Sequence, residues 1–513
     1  MRRAKSKFWC GVAATAWILG CAPADEPSVT TSGERRNVIF ILVDDQRYDA
    51  MGFLNPLLET PNMDRLAEEG VYFRNAFVTT ALCSPSRATI LTGQYMHNHG
   101  VVDNNEANTD GLTFFPEYLQ EAGYETAFIG KWHMGGATDE PQRGFDHWVS
   151  FQGQGDYYPG DNPNRESVLN VDGERVPQKG YITDELTDYA LSWLRDERDD
   201  GKPFFLYLSH KAVHADFYPA EEYRGLYADA AIELPESAAD TVENHAGKPM
   251  WVQNQRNSWH GVDYPYHSDL DVREYLRRYY QTLTSVDDSL GRILSFLEES
   301  GLTETTAVLF MGDNGFLFGE HGLIDKRNAY EESMRVPFLA YGPGLFPAGT
   351  VVEALAANLD IAPTVLDLAG IENMPEQYEG VSLLPQRNTT AAEIITGSGR
   401  EEFLYEYYWE YDFPHTPTTF AIRTPDYKLI QYHGVWDTEE LYDMANDSHE
   451  MTNLIDDPEL AELKASLRRR LYELLENRDG AHVVPYTEKK HGGAVLRHGG
   501  RSKAAEFPET WER

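Results

Sequence analysis

Residues 37–45 read NVIFILVDD, an almost continuously apolar run, rich in β-branched side chains, that ends abruptly in two aspartates. A run of this composition is typical of a strand buried on both faces of a parallel sheet. Similar short apolar runs recur at residues 126–129, 204–208 and 307–311. Helical patterns lie between these runs, at residues 184–195 and 274–299. Strands that alternate with helices predict an α/β fold whose central sheet is mostly parallel and flanked by helices.

Ionisable or amide side chains follow each of these apolar runs. They are Asp44 and Asp45, then Lys131 and His133, then His214, and then Asp313 and Asn314. Open α/β sheets bind ligands just outside the carboxyl ends of their strands, so we expect these groups to converge on one site. Asp44 and Asp45 alone would be a weak signal, because acidic pairs at strand ends are often solvated turns. Together with Asp313 and Asn314 they supply hard oxygen donors, which suit calcium or magnesium.

The overall composition is that of a globular protein. The chain has 513 residues, enough for one large domain and a smaller one, each with its own core. Hydrophobic residues make up 41% of the chain and aromatic residues 12%, which argues against wholesale disorder. The formal net charge of -39 argues against nucleic-acid binding, because phosphate contacts need clustered lysines and arginines. An enzyme for anionic substrates would have to gather its few cations locally.

The sequence pattern changes after about residue 385, where a polar stretch that includes residues 388–392 predicts a linker. Beyond the linker, consecutive strands are predicted at residues 403–409, 419–423 and 427–432, and an amphipathic helix at residues 458–476. These patterns predict a smaller α+β C-terminal domain with an antiparallel sheet over residues 395–485. Residues 486–513 are expected to form a surface extension.

The N-terminus predicts export from the cytoplasm. Residues 1–7 are basic, and the apolar run at residues 8–19 is too short to span a bilayer comfortably, so we predict a signal peptide over residues 1–20. Residues 18–21, ILGC, resemble the bacterial lipoprotein box, whose cysteine carries lipid; a plain signal peptide before a chance Cys21 is the alternative. Residues 21–36 would then be a tether. The protein is expected in a bacterial periplasm or on a membrane as a lipoprotein anchored at Cys21.

Cys83 opens the most informative motif of the chain. If Cys21 carries lipid, no disulfide can form in the mature chain, so Cys83 is either a buried inert thiol or a chemically committed one. Residues 83–94 read CSPSRATILTGQ, which resembles the type I sulfatase signature, Cys-x-Pro-Ser-Arg followed by Leu-Thr-Gly. Pro85 can occupy the first turn of a helix and so place residue 83 at its positive N-terminal end, which favours anions. A structural cysteine is the alternative, but a match of this length rarely arises by chance.

Further segments resemble motifs of the same family. Residues 130–135, GKWHMG, resemble its Gly-Lys-Trp-His-x-Gly motif and contain Lys131 and His133. Without this motif, His133 would be interpreted as an ordinary surface or core histidine. The resemblance extends over residues 37–476, which is most of the chain.

Two more catalytic positions come from this resemblance. His214 matches the family's histidine after the next strand, although the proline that usually precedes it is Val213 here. His210 is a competing histidine that ranks lower. Lys326 matches the family's second lysine, which follows the GEHG of residues 319–322.

The resemblance implies an alkaline-phosphatase-like large domain over residues 37–385 that hydrolyses sulfate esters. In this family a formylglycine-generating enzyme reads the motif on the unfolded chain and oxidises the cysteine, here Cys83, to formylglycine. One hydroxyl of the aldehyde hydrate attacks sulfur, and the other later expels sulfate from the covalent intermediate. Calcium is the expected metal, because bacterial members usually carry it. Its ligands would be Asp44, Asp45, Cys83 as formylglycine, Asp313 and Asn314.

The resemblance also implies roles for the remaining groups. Arg87 and Lys131 hold the hydrated aldehyde, while Lys131, Lys326 and calcium neutralise the sulfate oxygens. Lys131, His214 and Lys326 therefore bind substrate as well. His214 or Lys326 protonates the leaving alcohol, and His133 helps to remove the proton of the hydrate.

Two segments point to a substrate. Residues 98–105 and 407–417 are similar to bacterial sulfatases of the N-acetylglucosamine-6-sulfatase type, which implies a 6-O-sulfated N-acetylglucosamine in a glycan. Trp409 and His415 could grip the sugar, although a loop packed on the domain interface fits the sequence as well. His321 is expected to contact the substrate or to support the site from behind.

Three alternatives remain at this point. Host glycosaminoglycan, mucin, algal galactan and ulvan fit the sequence equally well as the sulfated glycan. A formylglycine phosphodiesterase or phosphonate hydrolase can carry the same cysteine motif on the same fold, but the set of Lys131, His133, His214 and Lys326 favours sulfate. A catalytically dead receptor for sulfated glycans would be expected to have lost a ligand or the cysteine, and none is missing.

Overall fold

The computed structural model describes residues 35–105, 109–134, 138–254, 271–384, 400–410, 413–433, 437–478 and 480. The predicted signal peptide, nearly all of the tether, the predicted linker around residues 388–392 and the C-terminal extension lie outside the described residues. Among the described helices, none has both the length and the apolar character needed to cross a membrane.

The strands fall into one large sheet and three smaller ones. They are β1 (Asn37–Val43), β2 (Val71–Phe73), β3 (Ala76–Phe77), β4 (Glu125–Gly130), β5 (His147–Ser150), β6 (Val168–Val171), β7 (Glu174–Pro177), β8 (Phe204–Ser209), β9 (Thr306–Gly312), β10 (Leu317–Phe318), β11 (Ile324–Asp325), β12 (Phe338–Tyr341), β13 (Thr350–Val352), β14 (Ala356–Ala357), β15 (Phe403–Tyr407), β16 (Thr418–Arg423), β17 (Tyr427–His433) and β18 (Glu440–Asp443). In the described part of the chain, the large sheet has the order β13-β2-β12-β9-β1-β8-β4-β5-β6-β7.

Helices flank this sheet, and the last described helix of the chain packs on the small C-terminal sheet instead. They are α1 (Pro61–Glu69), α2 (Cys83–Thr92), α3 (Met96–His99), α4 (Phe115–Glu121), α5 (Ile182–Ser192), α6 (Val242–His245), α7 (Met250–Asn254), α8 (Val272–Glu299), α9 (Glu331–Met334), α10 (Ile361–Leu368) and α11 (Ala461–Glu476). The long amphipathic α8 packs against α1 and α5, and α10 packs against α2, α4 and β1. The expected α/β architecture, a mostly parallel sheet between helices, is confirmed.

The centre of the sheet consists of the strands that the apolar runs predict. β1 lies between β8 and β9 and is parallel to both, and β4 continues the parallel order beside β8. Residues 38–43 of β1 are at most 1% exposed, which explains why the run is apolar at consecutive positions. Parallel strands direct their carboxyl ends to one edge, so the polar residues that follow them are brought together there.

The edges of the sheet are mixed. β12 pairs antiparallel with β9 and β2, and β6 and β7 extend the other edge as an antiparallel hairpin. These strands are short, and their pairing joins residues far apart in the sequence, so single-segment patterns do not reveal their order.

The C-terminal strands β15, β16, β17 and β18 form the expected antiparallel sheet, with β18 as an additional strand that the sequence did not predict. Its two faces have different partners. Leu404, Ile422 and Leu429 pack in one cluster with Leu467 and Leu471 of α11. Phe403, Tyr405, Ala421 and Ile430 belong instead to the core of the large domain. Because side chains alternate between faces along a strand, this sheet closes two cores at once.

Buried ion pairs also join the C-terminal sheet to the large domain. The Lys428 ammonium lies 2.6 Å from Glu450 Oε1 and 3.2 Å from Glu331 Oε1. Arg423 Nε is 3.0 Å from the same Glu331 oxygen. Burial of such charges is tolerated only when each has a partner, so this cluster fixes how the two parts fit together.

Candidate active site

Backbone hydrogen bonds continue past the ends of the central strands and set the site's framework. The Asp313 amide donates to the Val43 carbonyl at 3.0 Å, and the Asp44 amide donates to the Ala212 carbonyl at 3.0 Å. The Val213 amide returns a 2.7 Å bond to the carbonyl of Asp44. The acidic ends of β1 and β9 therefore lie side by side, next to the segment that carries His214.

Lys131 is brought to the same edge by β4. Gly130 pairs with Ser209 in β8, and the Lys131 amide donates to the Ser209 carbonyl at 2.8 Å. Gly130 has a φ of +126°, and a Cβ at this position would lie 1.8 Å from the Ser209 carbonyl oxygen. Glycine is thus required immediately before the lysine.

Cys83 is the first residue of α2 and is completely buried. Its Sγ lies 3.5 Å from Asp44 Oδ1 and 3.3 Å from Lys326 Nζ. Burial, followed by the charge of Asp44, raises the pKa of the Cys83 thiol to about 12. The unmodified thiol is therefore protonated near neutral pH and is a poor nucleophile, although it lies at the centre of the charged groups.

Three carboxylates beside Cys83 form a candidate metal site. Single oxygens of Asp44, Asp45 and Asp313 all lie within 4.8 Å of one another. Asp45 Oδ2 and Asn314 Oδ1 are buried oxygens that accept no hydrogen bond in the described structure. Burial and the neighbouring charge of Asp44 raise the pKa of Asp45 to about 7, although Lys326 opposes the shift. Buried oxygens that lack donors fit a hard divalent cation such as calcium or magnesium.

Each of these carboxylates is paired with a cation. Lys131 Nζ contacts Asp44 Oδ2, and Lys326 Nζ contacts Asp45 Oδ1. Burial alone would lower the pKa of Lys326, but Asp45 and the neighbouring groups raise it well above its ordinary value. Lys326 is therefore fully charged near neutral pH.

Arg87 holds several elements of the site together through hydrogen bonds. Its Nε donates to Asp313 Oδ2 at 2.9 Å, and its Nη1 donates to the Lys131 carbonyl and to Ser209 Oγ, each at 2.6 Å. The guanidinium is 2% exposed. Arg87 thus connects α2 to the ends of β4, β8 and β9, and its predicted position in the site agrees with this geometry.

The two catalytic histidines that the sequence predicts are both neutral in this environment. Burial and the charge of Lys131 lower the pKa of His214 and of His133 well below the ordinary value. His214 Nδ1 is 2.7 Å from the Ala215 carbonyl, so this nitrogen donates and Nε2 is free to accept a proton. His214 Nε2 lies 3.9 Å from Asp45 Oδ2. His133 Nδ1 is buried without a partner in the described residues.

The structure does not bring every predicted histidine into this group. His210 Nε2 lies 3.0 Å from Ser289 Oγ, and burial lowers the pKa of His210 to about 3, so it has a structural position. His321 is buried in a separate cluster with Glu332 and Glu450 and stacks on Tyr330 at 4.0 Å. Its predicted contact with the substrate is untested, and this position does not favour it.

Trp409 and His415 lie close together after β15. Trp409 Nε1 donates to the Pro414 carbonyl at 3.1 Å, and His415 is exposed. The neighbouring Glu410 accepts a 3.0 Å bond from Nε of Arg327, which directly follows Lys326. This part of the chain is therefore connected to the Lys326 segment, and the contact of Trp409 and His415 with a sugar remains a prediction.

Sequence reasoning missed three polar residues of the site. Gln154 accepts a hydrogen bond from Lys131, Ser209 accepts one from Arg87, and Arg327 pairs with Asp325 and Glu410. Gln154 and Ser209 belong to no charged motif, so only the packing of the strands reveals them. The charges of residues 325–327, DKR, were a signal for Arg327.

Comparison with known proteins places these residues in a family context. A family model described as Sulfatase matches residues 36–371. A second, described as N-sulphoglucosamine sulphohydrolase, C-terminal, matches residues 319–477. Cys83, the carboxylates and both lysines all fall within the first match.

Individual relatives are similar over most of the chain. The chain is 34% identical over 497 residues to N-acetylglucosamine-6-O-sulfatase of Bacteroides thetaiotaomicron, covering 86% of this chain and 86% of that protein. It is 32% identical over 410 residues to N-acetylglucosamine-6-sulfatase of Homo sapiens, covering 74% of this chain and 69% of that protein. A solved structure of a protein in complex with its substrate D-glucosamine-2-N,6-O-disulfate has a TM-score of 0.74 and 33% identity, over 88% of this chain and 99% of the other.

Proposed function

The chain belongs to the sulfatase family and is a sulfuric ester hydrolase, and from this premise we propose that it removes the 6-O-sulfate of N-acetylglucosamine in a glycan. The family and fold that the motifs imply are thereby confirmed. Two similar proteins are N-acetylglucosamine-6-sulfatases, and a similar solved structure holds a substrate with a 6-O-sulfate on glucosamine. Within this chain, the observation that best supports the proposal is the buried contact of Cys83 with both Lys326 and Asp44.

Formylglycine at position 83 and calcium beside it are part of this proposal. Formylglycine supplies an oxygen nucleophile for sulfur, and bound calcium supplies positive charge for the sulfate oxygens. Asp44, Asp45, Asp313 and Asn314 would hold the ion, which is supported by their clustering and by their orphaned buried oxygens. The high pKa of the unmodified Cys83 thiol supports the need for its conversion.

The remaining residues have tasks that follow from their positions. Lys131 and Lys326 carry ammonium groups beside residue 83, where each can donate to a sulfate oxygen and orient it. Arg87 holds Asp313 and the Lys131 backbone in place. Of the two predicted proton donors to the leaving sugar oxygen, Lys326 Nζ is charged and carries the proton, whereas His214 Nε2 would first have to accept one. His133 accepts a proton during release of sulfate. Both histidines are supported as proton acceptors because their rings are neutral.

The cellular setting belongs to the same proposal. We infer export to a bacterial periplasm, lipid attachment at Cys21 and maturation by a formylglycine-generating enzyme, on the support of the N-terminal pattern and the cysteine motif. Cys21→Ala should then release the protein from the membrane fraction of cells that express the full chain. Retention of this variant in the membrane fraction would contradict the anchor.

The substrate is tested with purified, matured enzyme. We expect kcat/KM for 6-O-sulfated N-acetylglucosamine to exceed that for 6-O-sulfated galactose and for an aryl phosphodiester. Contacts to the substrate's hydroxyl and amide groups discriminate strongly, because an analogue that lacks them leaves buried polar groups unpaired. A preference for the galactose sulfate would assign the enzyme to galactans, and a preference for the diester would overturn the sulfatase proposal.

A further inference from the structure

A polar cavity of about 470 Å³ adjoins the catalytic groups. It lies between the loop after β5, residues 154–165, and the loop after β8, residues 211–218. A volume in this range accommodates a ligand of several rings or groups, well beyond a single sulfate. The cavity therefore offers room for a part of the substrate that the catalytic residues do not contact.

The cavity is continuous with the catalytic site because two residues, His214 and Gln154, belong to both. His214, the predicted proton donor, lines it. Gln154 also lines it and accepts a hydrogen bond from Lys131. A group attached to a sulfated sugar held at Lys131 and His214 can therefore extend directly into this space.

The cavity wall combines aromatic rings with hydrogen-bonding groups. Tyr218 is 39% exposed, and Tyr157 lies beneath it in an edge-to-face pair with centroids 6.1 Å apart. Asn162 is partly exposed and offers both amide donors and a carbonyl acceptor. An exposed ring beside such groups suits a sugar, which presents apolar C–H faces and a rim of hydroxyls.

The charges of the wall are mostly negative. Asp156, Asp161 and Asp216 line the cavity together with Arg165 and Lys211. Arg165 Nη2 is paired with Asp156 at 2.8 Å, so these two charges offset each other. Lys211 lies near enough to Asp216 and Asp156 for their charges to act on it, and its ammonium lies 4.3 Å from the centroid of the Tyr157 ring. Burial, followed by the charge of Lys131, lowers the pKa of Lys211 to about 8, so its own charge is reduced above that pH.

We propose that this cavity is a subsite for an uncharged sugar residue joined to the sulfated one. This inference rests on the proposed function, because it assigns the neighbour of the sulfated amino sugar. Hydroxyls of a neutral sugar can donate to Asp161 and Asp216 and accept from Asn162. A uronic acid in the same place would bring its carboxylate near these aspartates, and like charges brought together are unfavourable.

The experiment uses one sulfated sugar in three contexts. The substrates are 6-O-sulfated N-acetylglucosamine alone, its disaccharides with galactose attached on either side, and the matching disaccharides with glucuronate. We expect kcat/KM for at least one galactose disaccharide to exceed that of the monosaccharide by about tenfold, and its glucuronate counterpart to fall about tenfold below it. Equal rates for the monosaccharide and the galactose disaccharides, or a preference for glucuronate, would overturn the subsite.

Variants test whether residues of the cavity cause the difference in kcat/KM between the galactose and glucuronate disaccharides. The double variant Asp161→Asn, Asp216→Asn should narrow the ratio between galactose and glucuronate disaccharides toward one, because it removes the repelling charges. Glu166→Gln is the control, since it removes one carboxylate charge from an exposed residue between β5 and β6 and should keep the ratio. An unchanged ratio in the double variant would contradict the electrostatic argument.

The outcomes separate the two proposals. Turnover of the sulfated monosaccharide without any gain from galactose supports the proposed function and rejects the subsite. If no 6-O-sulfated substrate is turned over by matured, metal-loaded enzyme, the proposed function fails and the subsite fails with it. Thermal unfolding of each variant verifies that the ratios are measured on folded protein.

Discussion

Cys83 is buried among opposite charges, and this position constrains its chemistry. Its thiol has both Asp44 and Lys326 within 3.5 Å, and its pKa is raised to about 12. A thiol that stays protonated cannot act as a nucleophile near neutral pH. The residue has no disulfide partner to lose, so replacing it should affect chemistry far more than folding.

We therefore expect Cys83→Ala to lower kcat by at least about a thousandfold, because it removes the nucleophile and not a contributing contact. The melting temperature should change little, since the alanine keeps most of the packing. In the matured parent, peptide mass analysis should find residue 83 about 18 Da lighter than the thiol form, as expected for an aldehyde in place of the thiol. Because the hydrate nearly matches the thiol in mass, a carbonyl reagent should trap the aldehyde. Full activity from wholly unmodified thiol would refute the mechanism.

The net charge of the site would change with the binding of the proposed metal. Asp44, Asp45 and Asp313 are matched by Lys131, Lys326 and Arg87, so the site has little net charge without an ion. A divalent cation at the proposed site would make it net positive, which would explain how a chain of charge -39 can attract a sulfate ester.

Removal of metal should consequently abolish turnover and weaken competitive inhibition by inorganic sulfate. Asp313→Ala should reproduce both effects and lower the bound calcium measured by elemental analysis. Asp426→Ala, which removes an exposed carboxylate, is the control and should retain both metal and activity. Undiminished activity in chelator, with no metal in the protein, would exclude the assigned ligands.

At the scale of elements, the junction of β4 with β8 illustrates how closely the sheet positions Lys131. Gly130 has a φ of +126°, and an added Cβ would collide with the Ser209 backbone rather than with a movable side chain. The strands would have to separate at the point where Ser209 also receives the Arg87 guanidinium.

We expect Gly130→Ala to destabilise the protein by more than about 2 kcal/mol and to reduce kcat, because Lys131 shifts with the backbone. Gly173→Ala provides the comparison. Gly173 also has a positive φ, of +93°, but no atom lies within 4 Å of its added Cβ. That variant should cost about 1 kcal/mol and leave kcat unaltered. Equal effects of the two substitutions in denaturant unfolding and kinetics would show that the collision is not the cause.

The central elements could be predicted from the sequence, whereas the edges could not. The consecutive apolar residues of β1, β8 and β9 report burial on both faces, and the polar groups after them converge as expected. β18, with the sequence ELYD, has too little apolar character to be recognised before its partner β17 is known. Gln154 and Ser209 were missed for a related reason: their role arises from which side chains pack beside them, and no local pattern encodes that.

At the scale of the whole molecule, the two parts of the chain share buried charges. Lys428 is fully buried and faces both Glu331 of α9 and Glu450 of the C-terminal part. Arg423 is also paired with Glu331, and the Glu331 carboxylate therefore keeps a partner when Lys428 is replaced. Glu450, by contrast, loses the ammonium group that faces it.

We expect Lys428→Met to lower the free energy of unfolding by about 3 kcal/mol, because breaking a buried pair leaves an uncompensated charge. Arg65→Met is the control, since Arg65 pairs with Glu69 and Glu298 at the partly exposed surface and should cost at most about 1 kcal/mol. Denaturant unfolding at one pH measures both. If Lys428→Met unfolds at the same denaturant concentration as the parent, the cluster does not stabilise the junction.

Because the C-terminal sheet covers two cores, its late synthesis bears on when Cys83 can be modified. β15 covers the segment before Cys83, since the Glu406 amide donates to the Thr79 carbonyl at 2.8 Å, and Tyr405 is wholly buried in the large core. These residues are synthesised hundreds of positions after Cys83, so this part of the protein is completed long after the cysteine has been made. Cys83 is completely buried in the folded protein, so we expect its proposed oxidation to precede completion of the fold.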